Sequence, residues 1–218
     1  MSSLLKEHIE QLAYWTRILV VVLYSAAAFT FLTFLFELAE IFDVWSVHSP
    51  GTDGSGVKNV LIVVSSMYIV TYVAMIVVFG IWLYRAASNI ASTTNEYFSY
   101  TARSAVGWFF VPIANFFKPF LAIRQIWNAS QGAPQTLDKG TAIITIWWVM
   151  VLLANSTLML ALYLQSRAAS YAEYIDSVKV GAISSAAFFV LLVVMIKLVR
   201  EIANGQKSTF VGSEFSAT

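Results

Sequence analysis

Four apolar runs, residues 15–38, 59–84, 141–164 and 180–196, constrain this chain more than any other feature, because charge is almost missing from all of them. An α-helix rises about 1.5 Å per residue, so about 17–25 such residues cross the roughly 30 Å of hydrocarbon in a bilayer. Arg17 and Glu37 stand near the ends of the first run, where long side chains reach the interface. A cleavable leader is the competing reading of that run, since residues 18–24 make a short apolar core before Ser25, Ala26 and Ala27. The run continues through Phe29, Phe31, Phe34 and Phe36, longer than a leader needs, and is therefore read as a span.

Composition agrees. Of 218 residues, 59% are hydrophobic and 11% charged, against about 25% charged in ordinary soluble domains. Too few charges remain to coat a water-facing surface, so lipid must solvate the rest. The expected fold class is an all-α integral membrane protein with four transmembrane helices plus a proline-broken re-entrant or interfacial segment between the second and third. The net charge of +1, with no basic run, gives no footprint for nucleic acid. The absence of cysteine removes disulfides, thiolate nucleophiles and Cys-ligated metal together.

The expected order along the chain is an N-terminus over 1–14, a first span over 15–38 and an external loop over 39–58 containing His48, Pro50 and three glycines. A second span covers 59–84 and a polar linker 85–103. The broken segment follows at 104–129, then a loop at 130–140, a third span at 141–164, an external link at 165–179, a fourth span at 180–200 and a tail at 201–218. Asn204 and Gly205 read as the stop of the last helix. The broken segment is apolar, yet it carries Pro112 and Pro119 seven residues apart with Asn115 and Lys118 between them. Irregular backbone of that kind does not cross lipid unaided. Pro119 suits the first turn of an amphipathic helix with Phe120, Ile123 and Trp127 on one face and Arg124 and Asn128 on another.

Basic residues set the parity. If the broken segment does not cross, ten of the thirteen Lys and Arg share one side, and only Lys58, Arg167 and Lys179 face the other. The positive-inside rule then places both termini in the cytoplasm.

Two stretches flank the linker: Trp82, Arg85, Ala86 and Asn89, then Gly107, Trp108, Pro112, Asn115 and Pro119, followed by Arg124 and Trp127. Together these resemble the bacterial membrane-protein family called domain of unknown function 4328, over roughly residues 59–164. The resemblance implies a multi-span protein of a bacterial inner membrane and carries no activity with it.

Trp82, Arg85, Ala86 and Asn89 share one helical face by their spacing. Arg85 there is a snorkelling anchor, a tie to the backbone freed at Pro112, or a contact for phosphate or a lipid headgroup. Asn115 and Lys118 cap exposed backbone and reach headgroups, or line a polar vestibule. Trp108 and Trp127 stand near Arg85, Lys118 and Arg124 in the same expected headgroup layer. Asn155, at mid-span, should face other helices. Gly181 and Ser185 form a small-residue pair for close packing, as do Ala26, Thr30, Ser65 and Ser66 elsewhere.

No metal or cofactor is expected. His8 and His48 are the only histidines and fall on opposite sides of this topology. No nucleophile triad, carboxylate pair or phosphate loop is visible, and Glu37 is the only acidic residue within a run. The leading expectation is a non-enzymatic inner-membrane protein acting by self-association as a homo-oligomer or within a larger membrane complex. The alternatives are an oligomeric channel or transporter for a small solute, and binding of anionic lipid headgroups.

Overall fold

A computed structural model describes residues 3–44, 55–92, 98–133 and 141–212. The expected loops around His48 and Pro134, and the last six residues, lie outside the described residues. The fold is all-α, about 90% helical with no strand among the described residues. Six helices appear in order: α1 Ser3–Ile41, α2 Ser55–Ala91, α3 Ala102–Gly107, α4 Lys118–Ser130, α5 Thr141–Arg167 and α6 Tyr171–Gly212. Two short 3-10 turns, Trp108–Phe110 and Ala114–Phe116, separate α3 from α4. Four of the helices, α1, α2, α5 and α6, are long and apolar enough to cross a membrane.

Each apolar run is thus part of a longer helix, extended at both ends in α1, α2 and α6 and only at its far end in α5. Chain ends that read as polar are helical too, because a helix continues until something satisfies its last carbonyls. For α1 that device is Asp43 at φ 51, with Val44 N–H bonded to the Ala39 carbonyl at 2.9 Å and Asp43 N–H to that of Glu40 at 3.2 Å. Gly132 at φ 68 ends α4 in the same way, with Ala133 N–H on the Asn128 carbonyl at 3.0 Å.

The expected stop at Asn204 and Gly205 is corrected. Helix α6 runs on to Gly212, because Gly205 serves contact rather than termination. A β-carbon there would lie 2.7 Å from the Ser130 carbonyl oxygen.

The chain packs as two compact units. The first consists of Met1–Val22, Met75–Trp148 and Val194–Thr218. It therefore holds the beginning of α1, the end of α2, all of α3 and α4, the beginning of α5 and the end of α6. Its core includes Leu12, Leu19, Leu83, Ile90, Ile123, Ile126 and Leu198. Burying Ile123 and Ile126 of α4 away from water contributes about 1.5–3 kcal/mol each.

The second unit consists of Leu23–Ala74 and Val149–Val193. Its interior is lined by small residues, Ala26, Ala154, Ala161, Ala182 and Ser184, with Phe188 and Leu192. Ser184 Oγ donates to the Ala154 carbonyl at 2.8 Å. Its exterior is apolar, with Val60, Ile62, Val63, Ile69 and Val70 of α2 exposed. Small inside and branched outside is the pattern of helices solvated by lipid, where close backbone approach replaces the hydrophobic effect.

Candidate functional site

The helical face of Trp82, Arg85, Ala86 and Asn89 is a junction within the first unit. Trp82 is fully buried, and its indole N–H donates to Thr16 Oγ1 at 2.9 Å; the Thr16 hydroxyl in turn donates to the Leu12 carbonyl at 2.8 Å. The Arg85 guanidinium donates to Gln11 Oε1 at 2.6 Å. Asn89 Nδ2 donates to Gln206 Oε1 at 3.0 Å, and Gln206 Nε2 to the Ala86 carbonyl at 3.0 Å. With exposures of 2% and 0%, Asn89 and Gln206 exclude water from this exchange.

These polar groups tie α2 to α1 and α6. The tie to the broken segment is apolar instead: Phe79 stacks on Trp82 with ring centres 5.9 Å apart and meets Phe109 edge-on at 5.8 Å. Gln11, Thr16 and Gln206 were not singled out in the sequence. Gln206 was detectable, because it falls i+7, i+4 and i+3 from the buried Val199, Ile202 and Ala203.

Around Pro112 the broken segment turns back on itself. Ala114 N–H bonds the Pro112 carbonyl at 2.7 Å, which closes a γ-turn on Ile113 at φ 67 and ψ −54. A β-branched residue at positive φ is strained by about 1–3 kcal/mol. Phe110, Val111, Ile113, Phe116 and Phe117 are all exposed around this turn. Pro112 and Asn115 are exposed too, and the Lys118 ammonium lies over the Trp108 ring, 5.6 Å from its centre. Trp148 of α5 anchors the turn by donating to the Phe116 carbonyl at 3.0 Å.

Pro119 takes its place in the first turn of α4 and is buried, as is Trp127. Arg124 covers the Phe120 ring at 5.4 Å. Burial pushes the Tyr100 phenol above its ordinary value, with Arg124 acting in the opposite direction. Asn128, expected on a different face from Trp127, is buried as well. The far end of α4 is docked on α6, where Thr209 Oγ1 donates to the Ser130 carbonyl at 2.9 Å.

Arg85, Lys118 and Arg124 each meet a different partner, Gln11, Trp108 and Phe120. The cations that converge are Arg17, Arg200 and Lys207. They line a groove of about 270 Å³ in the first unit together with Ile9, Ala13 and Ala203, and among the described residues no carboxylate lines it. Residues 9, 13, 16, 17 and 20 share one face of α1, and residues 200, 203, 204 and 207 share one face of α6. In the sequence Arg17 and Arg200 read as separate helix-end anchors, because nothing local shows that the ends meet.

In the second unit, Asn155 is corrected from its expected interhelical role. It is exposed, and its amide donates to the Val151 carbonyl of its own helix at 2.7 Å, which satisfies that N–H without a neighbour. Ala26 and Thr30 are buried as small packing residues, whereas Ser65 and Ser66 are exposed. Gly181 and Ser185 both meet Glu37. The Glu37 Oε1 atom lies 3.1 Å from where a β-carbon on Gly181 would stand, and Ser185 hydrogen-bonds the same carboxylate.

No curated protein and no solved structure matches the chain. A family profile does, over residues 55–204, a stretch that contains the Trp82 to Asn89 face, the broken segment with its two prolines, and most of α6. This multi-span membrane protein belongs to the family described as Domain of unknown function (DUF4328).

Proposed function

We propose that this is a non-catalytic, multi-pass protein of a bacterial inner membrane that binds the headgroup of an anionic phospholipid in the groove between α1 and α6. The observation that carries this reading is the convergence of three cations, Arg17, Arg200 and Lys207, on one groove. The Arg17 guanidinium offers forked donors that match phosphate oxygens, and Arg200 and Lys207 add positive charge beside it. Below them, Ile9, Ala13, Val20 and Ala203 give an acyl chain an apolar wall. The exposed aromatic turn around Ile113 supports the same setting, since Phe110 and Phe116 are at home in lipid and not in water. In this reading the groove faces the cytoplasmic leaflet and both termini are cytoplasmic.

The test compares nanodiscs of phosphatidylglycerol with nanodiscs of phosphatidylcholine. Wild-type protein is expected to retain phosphatidylglycerol after detergent extraction, read by native mass spectrometry. Each cation near an anionic surface contributes about 1 kcal/mol, so replacing Arg17, Arg200 and Lys207 together by Gln is expected to weaken retention on the order of 100-fold. Equal lipid content in wild type and triple variant removes the proposal.

Self-association keeps one specific support. Ser66 of α2 and Ser156 of α5 are exposed on the second unit, as is Asn155, whose bond to Val151 leaves its amide oxygen unspent, and alkyl chains offer polar atoms no partner. A second copy would supply one. Energy transfer between differently labelled chains in liposomes, unchanged by Asn155→Leu, would count against it.

A further inference from the structure

The second unit has a half-open cavity of about 350 Å³ that the lipid groove does not explain. All four long helices contribute to its lining. Its polar atoms come from Thr33, Glu37 and Glu40 of α1, Ser65 of α2, Gln165 of α5, and Tyr174 and Ser177 of α6. Among the described residues neither Lys nor Arg lines it. The remaining wall is hydrocarbon, from Phe36, Leu61, Val64, Leu158, Leu162 and Val178.

Glu37 is held there on one side only. Oε1 rests against Gly181, whose missing β-carbon leaves room for it, and Ser185 bonds the carboxylate. The other oxygen, Oε2, is buried with no hydrogen-bond partner among the described residues. Glu40, one turn further along α1, is itself buried at 7% exposure. A buried carboxylate oxygen without a partner is costly unless a positive group meets it or the carboxyl takes up a proton. In a membrane-spanning helix such a group marks a functional position by default.

We infer that this cavity is a binding site for a small organic cation, a substituted ammonium whose positive centre meets Glu37 and whose hydrocarbon body fills the space between Phe36, Tyr174 and the aliphatic wall. The volume falls in the range of small-molecule sites, which are mostly apolar with a few placed polar groups. Aromatic faces beside the carboxylates suit an ammonium. A bare inorganic cation is the poorer fit. It needs about six to eight oxygen ligands, whereas this lining is mainly carbon, and no group of three acidic or histidine ligands exists among the described residues. The inference does not depend on the lipid groove, which uses different residues of the other unit.

The experiment is equilibrium dialysis of benzyltrimethylammonium against the full chain in phosphatidylcholine nanodiscs, with empty nanodiscs as the reference. Saturable binding of one cation per chain is expected. Removing the charge with Glu37→Gln is expected to weaken it about tenfold or more. Leu158→Trp, which fills the cavity and leaves the carboxylate in place, is expected to do the same; it decides the matter if Glu37→Gln fails to fold. Sodium at 100-fold excess is expected to compete poorly. Binding no greater than to empty nanodiscs, or binding unchanged in a folded Glu37→Gln or Leu158→Trp protein, overturns the site. Saturable sodium binding that needs Glu37 while benzyltrimethylammonium stays unbound overturns the ligand class.

Discussion

The Ser130 carbonyl oxygen stands 2.7 Å from the place a β-carbon would occupy on Gly205, and no flexible side chain can yield there, because the obstacle is backbone. Gly205→Ala is therefore expected to destabilise the protein by about 1–3 kcal/mol through overpacking, read as a lower unfolding midpoint in detergent; an unchanged midpoint refutes the contact. The Asn89 and Gln206 pair gives a second case. Asn89→Ala leaves the Gln206 oxygen buried without its donor and is expected to cost about 1–3 kcal/mol, while Asn89→Leu combined with Gln206→Leu recovers part of that loss. A double variant no more stable than the worse single one argues against the pair. At this scale the sequence was half legible. The spacing of Trp82, Arg85 and Asn89 predicted a common face, but it could not name Thr16, Gln11 and Gln206 as partners. Gly205 misread as a stop for the same reason: glycine at a helix end and glycine at a close crossing look alike until the crossing is known.

Among the elements, the broken segment departs furthest from regular structure. Its two prolines, its lysine and its short charge-free length ruled out a plain span, and the structure accordingly has two helices separated by 3-10 turns. The γ-turn on Ile113 was beyond sequence reasoning, since isoleucine disfavours positive φ and is held there only by its surroundings. Ile113 is 76% exposed at the tip. A spin label at this position is expected to collide with oxygen far more than with a water-soluble nickel chelate, as in hydrocarbon. The reverse preference would place the turn in water. Asn155 shows the other limit of pattern reading. Hydropathy located it in a helix interior by depth, but depth does not tell which face a residue occupies.

Across the whole molecule, four long apolar helices were legible because lipid imposes one requirement, that backbone groups be satisfied within the segment, and runs of this length meet it only as helices. The groove of Arg17, Arg200 and Lys207 was not legible, because it joins residues from the two ends of the chain. The chain contains no cysteine, so single introduced thiols report topology without background. Cysteines replacing Glu7 and Lys207 are expected to react with an impermeant maleimide from one side of the membrane, and a cysteine replacing Arg167 from the other. Labelling of Glu7 and Lys207 positions from different sides would remove the four-span arrangement.

Gln206, the acceptor for Asn89, lies 117 residues further along the chain. A ribosome delivers Asn89 into the bilayer long before its partner exists, and it must wait with a temporary companion, water or a chaperone. The hydrogen-bonded junction can close only when synthesis is nearly over. Loss of the final stretch of α6 would then leave a nascent product that quality-control proteases can recognise, although every spanning run in it is intact.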